Sequence, residues 1–321
     1  MRYVEVGGQR LSAIGLGAWQ FGTVGWGWGT EFDVDEAYCI IRRALELGIN
    51  VIDTAELYSS GHSEQIVGEA LKGRREQAFI ATKVSPWHAL RGSVKRAAGR
   101  SLARLDLDTL DLYQVHWPNS FVPSSWTMGG MRDLQSAGQI RHVGVSNYSL
   151  ARWRRAERAL GAPVISNQVP YHLLRRSPER RLLPYAQTND RLIIAYSPLA
   201  QGVLSGRYGP GNAPGGARRF NSLFTADNLR RAEPVVQVLR EVGDAHNATP
   251  AQIALAWLVH QPNVLAIPGA KSVAQLEANA AAADIELRQE ELRALDWVSA
   301  RFTAGGQIMK YPRMAARLFF R

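Results

Sequence analysis

Asp53, Tyr58, Lys83 and His116 are the residues of this sequence best placed to do chemistry together. Asp53, Lys83 and His116 each stand where a short apolar, strand-like run stops and a polar loop begins. Tyr58 lies in the loop that follows Asp53. In a barrel of alternating strands and helices, such stops all face the end where chemistry occurs. A carboxylate, a phenol, an amine and an imidazole would then share one proton-donating pocket. A free phenol ionises at about pH 10, too high for easy proton exchange at neutrality. An ammonium beside it is expected to favour the phenolate and lower that value. A carboxylate would hold the ammonium in place, since opposite charges about 4 Å apart attract by roughly 4 kcal/mol at an effective dielectric near 20. The imidazole would orient a substrate oxygen or assist the proton transfer. Singly, each residue has a plainer reading: Asp53 as a helix cap or ion-pair partner, Lys83 as a surface lysine, His116 as a structural histidine. Their joint placement at strand ends favours the shared pocket.

The elements that must position these residues alternate in type. A hairpin is predicted over residues 1–13, with its turn at Gly7-Gly8. A short strand over 14–18 follows. The first helix starts at Asp33, with Glu36 three residues on in the manner of a capping box. Ala37, Ile40, Ile41, Ala44 and Leu45 form its apolar face, and Gly48 stops it. Cys39 is expected on that face as a small core residue, and as the lone cysteine it excludes a disulfide framework. Strands are then predicted over 49–53, 79–83, 112–116, 140–145, 164–169, 192–196 and 264–267. Helices are predicted over 63–71, 91–105, 127–137, 150–160, 178–188, 226–246 and 273–283. Thr249-Pro250 with Gln252 marks a further helix start. A Gly/Pro-rich loop covers 198–216, and loops of this length are usually functional or disordered. Strands thus recur about eight times with helices between them and no linker divides the chain, which predicts an α/β fold of one domain, a (β/α)8 TIM barrel with an N-terminal β-hairpin and a basic C-terminal tail over 301–321. A doubly wound nucleotide-binding sheet fits poorly. Gly15 and Gly17 supply the first two glycines of G-x-G-x-x-G, but Gln20 occupies the third position.

The chain has 321 residues, 46% hydrophobic and 21% charged, with a net charge of +10. That excess suits an anionic cofactor as well as a nucleic acid or lipid surface. The basic residues are scattered and carry no nucleic-acid-binding motif, so no nucleic-acid partner is expected. Lysine occurs only at 72, 83, 95, 271 and 310, which draws attention to Lys83 and Lys271. No signal-type or membrane-spanning run is present, so a cytoplasmic location without stable membrane insertion is expected. His62, His88 and His172 show no metal-ligand spacing; they are read as loop residues, and no metal is expected.

The segments DTAELYSSGHSE from Asp53, ATK ending at Lys83, LYQVHWP around His116, GVSN ending at Asn147 and NQVPY around Gln168 resemble the aldo-keto reductases in order and spacing. The resemblance runs from about Gly15 to Ala283. It implies a barrel that binds NADP(H) without a doubly wound domain and reduces a small-molecule carbonyl substrate. Tyr58 then matches the proton donor, Lys83 and Asp53 the pair that tunes it, and His116 the residue that orients the carbonyl. Ser146, Asn147 and Gln168 match positions that bind the nicotinamide amide, and Tyr196 matches the ring that stacks on nicotinamide. Ser197, Leu199, Gln201 and Gly202 fall in the loop resembling the pyrophosphate belt. In IPGAKS and the QLEAN that follows, Lys271 and Ser272 match contacts to a 2′-phosphate, and Asn279 an adenine contact. Gln275 stands where many members carry arginine, and Ala278 replaces a common glutamate.

Trp19, Trp26, Trp28, Trp87 and Trp117 are predicted in loops at the catalytic end, and Trp19, Trp26, Trp87 and Trp117 are expected to wall a substrate pocket. The tail, rich in arginine and apolar residues, is expected to pack near that pocket. Two other functions fit the same residues: a redox-sensing, protein-binding regulatory subunit, and a dehydrogenase oxidising an alcohol or sugar.

Overall fold

The structure is a computed structural model and describes residues 1–215, 218 and 221–305. The expected tail therefore lies outside the described residues except for 301–305. Strands β1 (Tyr3–Val6) and β2 (Gln9–Ser12) form the antiparallel hairpin. Eight parallel strands follow: β3 (Leu16–Gly17), β4 (Val51–Asp53), β5 (Phe79–Val84), β6 (Leu110–Val115), β7 (Ile140–Ser146), β8 (Ser166–Pro170), β9 (Leu192–Tyr196) and β10 (Val264–Ala266). They pair in chain order. The sheet closes on itself where Ile14 bridges Ala266 and Gly17 N donates to Pro268 O at 3.1 Å. Gly17 permits that approach, because a Cβ there would lie 2.8 Å from Ile267 O.

Among the described residues ten α-helices surround the barrel. They are α1 (Val34–Glu46), α2 (His62–Ala70), α3 (Arg91–Leu105), α4 (Ser124–Ser136), α5 (Leu150–Leu160), α6 (Leu182–Thr188), α7 (Ala226–His246), α8 (Pro250–Val259), α9 (Val273–Ala281) and α10 (Gln289–Ala300). The pattern reading of α3 holds to the residue: Val94, Ala97, Ala98, Ser101, Leu102 and Leu105 are buried. The Thr249–Gln252 capping box is reciprocal.

Three expectations are corrected. Asp33 caps α1 by accepting from Glu36 N, but the Glu36 carboxylate does not close the box; it accepts from Val273 N, at the start of α9. Cys39 is exposed. At about 100° per residue it points away from the stripe of Ala37, Ile40, Ile41 and Ala44. The pattern reading ends at residue 283 and misses α10, whose Leu292, Leu295 and Val298 are buried at helical spacing.

Strand alternation positions the site. Val51, Phe79, Ala81, Leu112, Leu192, Ile194, Leu265 and Ile267 share one cluster inside the barrel, and Val6 and Leu11 of the hairpin join it. The hairpin thus plugs the N-terminal end of the barrel. With a period of two, the next inward positions are Asp53 after Val51, Lys83 after Ala81, and Gln114 then His116 after Leu112. An apolar floor therefore lies beneath a polar top layer.

Gly68 faces α3 so closely that a Cβ would lie 2.5 Å from Leu105 O. Gly68→Ala is expected to cost about 1–3 kcal/mol of stability by overpacking against backbone. Urea unfolding of the variant checks this; an unchanged midpoint contradicts it.

Candidate active site

The top layer is built around a buried cation. Lys83 is 0% exposed and Asp53 2%. Lys83 Nζ donates to Asp53 Oδ2 at 2.5 Å, to Thr54 O at 2.8 Å and to Tyr58 OH at 3.0 Å. All three ammonium hydrogens are thereby used. Asp53 Oδ1 accepts from Gln168 Nε2 across the barrel at 2.7 Å, with Gln114 Nε2 at 3.4 Å. Tyr58 enters from the loop after β4, where Ser59, Ser60 and Gly61 are all left-handed and turn the chain into α2. The Trp19 ring meets the Tyr58 ring edge-on at 4.8 Å, and the His116 ring lies 5.7 Å away. Trp117 stacks on His116 at 3.8 Å.

The electrostatics correct the expectation for the phenol. Burial first, then the negative charge of Asp53, pushes the Tyr58 hydroxyl well above its ordinary range. Burial pulls Lys83 below its ordinary value, against the opposing pull of Asp53. Burial, then the charge of Lys83, holds His116 well below the usual imidazole value. At neutral pH the arrangement is a protonated phenol, whose oxygen accepts from Lys83, beside a neutral imidazole. Accepting that bond leaves the phenolic hydrogen free to be donated elsewhere.

The structure gathers a second group of sequence-predicted residues next to these. Ser146 Oγ donates to Gln168 O at 2.9 Å, Asn147 Nδ2 donates to His116 O at 3.2 Å, and Tyr196 OH donates to Asn147 Oδ1 at 2.9 Å. Gln168 is committed to Asp53 through its Nε2. In the loop after β9, Ser197, Ala200, Gln201 and Gly202 all have positive φ, so the chain between Ser197 and Gly202, including Leu199, turns sharply back. Beyond β10, Lys271 Nζ donates to Glu31 Oε2 at 2.7 Å. Ser272 caps α9 through Gln275 N, Gln275 Oε1 accepts from Lys271 N, and Asn279 Nδ2 donates to Gly269 O.

The tryptophans divide. Trp19 and Trp117 touch the tetrad. Trp26 lies under the Arg218 guanidinium at 4.6 Å, and Trp28 packs on Phe32 and His62. Trp87 is 69% exposed, so it does not form a buried wall. Among the described residues no group of three His, Cys, Asp or Glu side chains could hold a metal. The three histidines read as loop residues are more ordered than that: His62 opens α2, His88 pairs with the buried Glu56, and His172 is buried. Pattern reading missed Gln114, although its place two residues before His116 puts it on the same inward face. It also missed Glu56, which accepts from Ser85 N at 2.6 Å and ties the Tyr58 loop to the Lys83 strand.

The model of the aldo/keto reductase family matches residues 13–300. The chain belongs to that family. It is 50% identical over 296 residues to an oxidoreductase of Mycobacterium tuberculosis, covering 92% of each chain. It is 37% identical over 287 residues to a methylglyoxal reductase of Escherichia coli, covering 89% of this chain and 90% of the other. A solved aldo-keto reductase of Klebsiella pneumoniae in complex with NADPH superposes with a TM-score of 0.76 at 34% identity, covering 93% of this chain and 95% of that one. The protein is accordingly an oxidoreductase of the aldo/keto reductase type. Among the described residues no helix is long and apolar enough to cross a membrane.

The buried histidines make stability pH-dependent. Burial, then the charge of Arg175, pulls the pKa of His172 down to about 3, and His116 is also held low. The unfolded chain takes up protons near the ordinary value of about 6.5 while the folded chain does not, so stability falls as pH falls through that window. Urea unfolding between about pH 6.5 and pH 5, above the ordinary carboxylate range, is expected to show uptake of up to about two protons on unfolding. A flat profile there contradicts it.

Proposed function

We propose that the protein reduces aldehydes and ketones to alcohols with NADPH, and that Tyr58 gives the proton. The observation that carries this reading is the Lys83 Nζ to Tyr58 OH hydrogen bond at 3.0 Å in a fully buried setting. The coenzyme, when bound, supplies a hydride to the carbonyl carbon. The chain's own residues do the rest. His116, neutral and with a buried Nδ1 that has no hydrogen-bond partner among the described residues, can direct a ring N–H at the substrate oxygen. As negative charge develops on that oxygen, the phenolic hydrogen passes to it. The tyrosinate left behind is stabilised by the bond from Lys83, and Asp53 keeps the ammonium charged and aimed. Trp19 and Trp117 exclude water from the reacting atoms.

The residues present suit the coenzyme. Ser146, Asn147 and Gln168 offer side-chain donors and acceptors for a carboxamide, and Tyr196 offers a ring face. The left-handed backbone of Ser197, Ala200, Gln201 and Gly202 suits close approach of a diphosphate. Arg218 Nε, buried and without a hydrogen-bond partner among the described residues, adds a positive donor on that side. Lys271 and Ser272 at the start of α9 suit a 2′-phosphate, since a helix N-terminus and an ammonium both attract anions. Gln275 and Asn279 belong to the adenosine end of the same corner. The whole chain is read as one barrel domain, with the loop over 198–216 covering the coenzyme.

Tyr58→Phe is expected to lower turnover by more than about 100-fold while NADPH still binds, since a positioned acid contributes about 10²–10⁴ in rate. Steady-state kinetics over a panel of aldehydes and ketones, with coenzyme binding followed by fluorescence, checks this. Undiminished turnover rules Tyr58 out as the acid. Lys271→Ala is expected to weaken NADPH about tenfold or more with little effect on NADH, because only NADPH carries the extra phosphate. Equal weakening of both in equilibrium titrations contradicts the assignment.

A further inference from the structure

Two carboxylates from one segment reach the corner assigned to the 2′-phosphate. Glu31 and Glu36 lie between β3 and the first turn of α1. Glu31 Oε2 accepts from Lys271 Nζ at 2.7 Å, and Glu36 Oε1 accepts from Val273 N at 2.9 Å. Val273 is the first residue of α9, so its amide belongs to a helix N-terminus. An ammonium and a helix-terminal amide are the groups here best suited to a phosphate, and each already holds a carboxylate of the same chain.

The local backbone is shaped for the first of these contacts. Gly27 has φ 94, and a Cβ there would lie 2.8 Å from Glu31 Cδ and 3.0 Å from Lys271 Nζ. Thr30 N and Glu31 N both donate to Gly27 O, which bends the chain so that Glu31 faces the lysine. Glycine suits the left-handed turn and leaves room for the ion pair packed across it. The hydrogen bond from Lys271, reinforced by the positive charges of Lys271, Arg218 and Arg207 and opposed only by slight burial, holds the Glu31 carboxyl below its ordinary range, so it is anionic at neutral pH.

We propose that Glu31 is a coenzyme-specificity residue whose carboxylate competes with the 2′-phosphate of NADPH for Lys271 and so narrows the preference for NADPH over NADH. This rests on the assignment of Lys271 to the 2′-phosphate made above. A phosphate that reaches Lys271 must displace Glu31 or share the ammonium with it, and either way it meets a like charge. NADH brings only a ribose hydroxyl to this corner and leaves the ion pair intact. The apparent affinity for NADPH is therefore reduced by the fraction of molecules in which Lys271 is held by Glu31. A partly exposed ion pair of this kind is weak, so the effect is a modest factor of about two to five.

The test is equilibrium binding of NADPH, NADH, 2′,5′-ADP and 5′-ADP to the full-length wild type, Glu31→Gln and Lys271→Ala. Glu31 is mostly exposed, so Glu31→Gln is expected to fold normally. The expected result is that Glu31→Gln tightens NADPH and 2′,5′-ADP about threefold and leaves NADH and 5′-ADP unchanged. If Glu31→Gln changes all four ligands alike, or none, while Lys271→Ala still discriminates between phosphorylated and unphosphorylated ligands, the Lys271 assignment stands and the Glu31 proposal is overturned. If Lys271→Ala fails to discriminate, both are overturned.

Discussion

An ammonium with no exposed surface inside a barrel is the constraint from which the site follows. Lys83 has lost its water and must replace it. Three oxygens do so: a carboxylate, a backbone carbonyl and a phenol. The carboxylate is itself buried and must be satisfied in turn, which brings Gln168 from the far side of the barrel and Gln114 from a strand between. Removing one member of such a set leaves an uncompensated buried charge, a costly outcome. The same network fixes the direction of the phenol. An oxygen that accepts from Lys83 keeps its hydrogen for another partner.

The barrel makes this network possible by layering. Apolar side chains fill the interior up to the level of Val51, Ala81 and Leu112, with the hairpin residues Val6 and Leu11 closing the bottom. One strand repeat higher, Asp53, Lys83 and Gln114 replace them. Charge is thus confined to one plane, with a dry floor beneath it that strengthens each interaction. The loops at this end carry the other groups of the candidate site: Tyr58 after β4, the left-handed residues after β9, and the corner where the segment before α1 meets the start of α9. That corner holds carboxylates beside its cationic and amide groups.

Much of this was legible in the sequence because it depends on local period and punctuation. Strand ends at Asp53, Lys83 and His116 placed three groups at one end, and Arg91 to Leu105 read correctly because its apolar face repeats cleanly. What failed depended on contacts between distant segments. The Glu36 carboxylate serves α9 instead of its own helix, since an amide 237 residues away in sequence is its neighbour in space. The phenol is pushed up by burial and then by the charge of Asp53, effects of packing that no motif encodes. Gln168, matched to a ligand contact, also holds Asp53, a bond across the barrel that only closure of the sheet creates. Helix α10 lies beyond the last chemistry-bearing motif, and its regular apolar spacing packs without contributing a group to the site.

The central claim is that Lys83 and Tyr58 act as one proton-donating unit. A double-mutant cycle in the hydride-transfer rate, comparing Tyr58→Phe, Lys83→Met and the double variant in single turnovers, tests it most directly. The account predicts that the double variant is no slower than the slower single variant. Losses that multiply, as for two independent contributions, would contradict it.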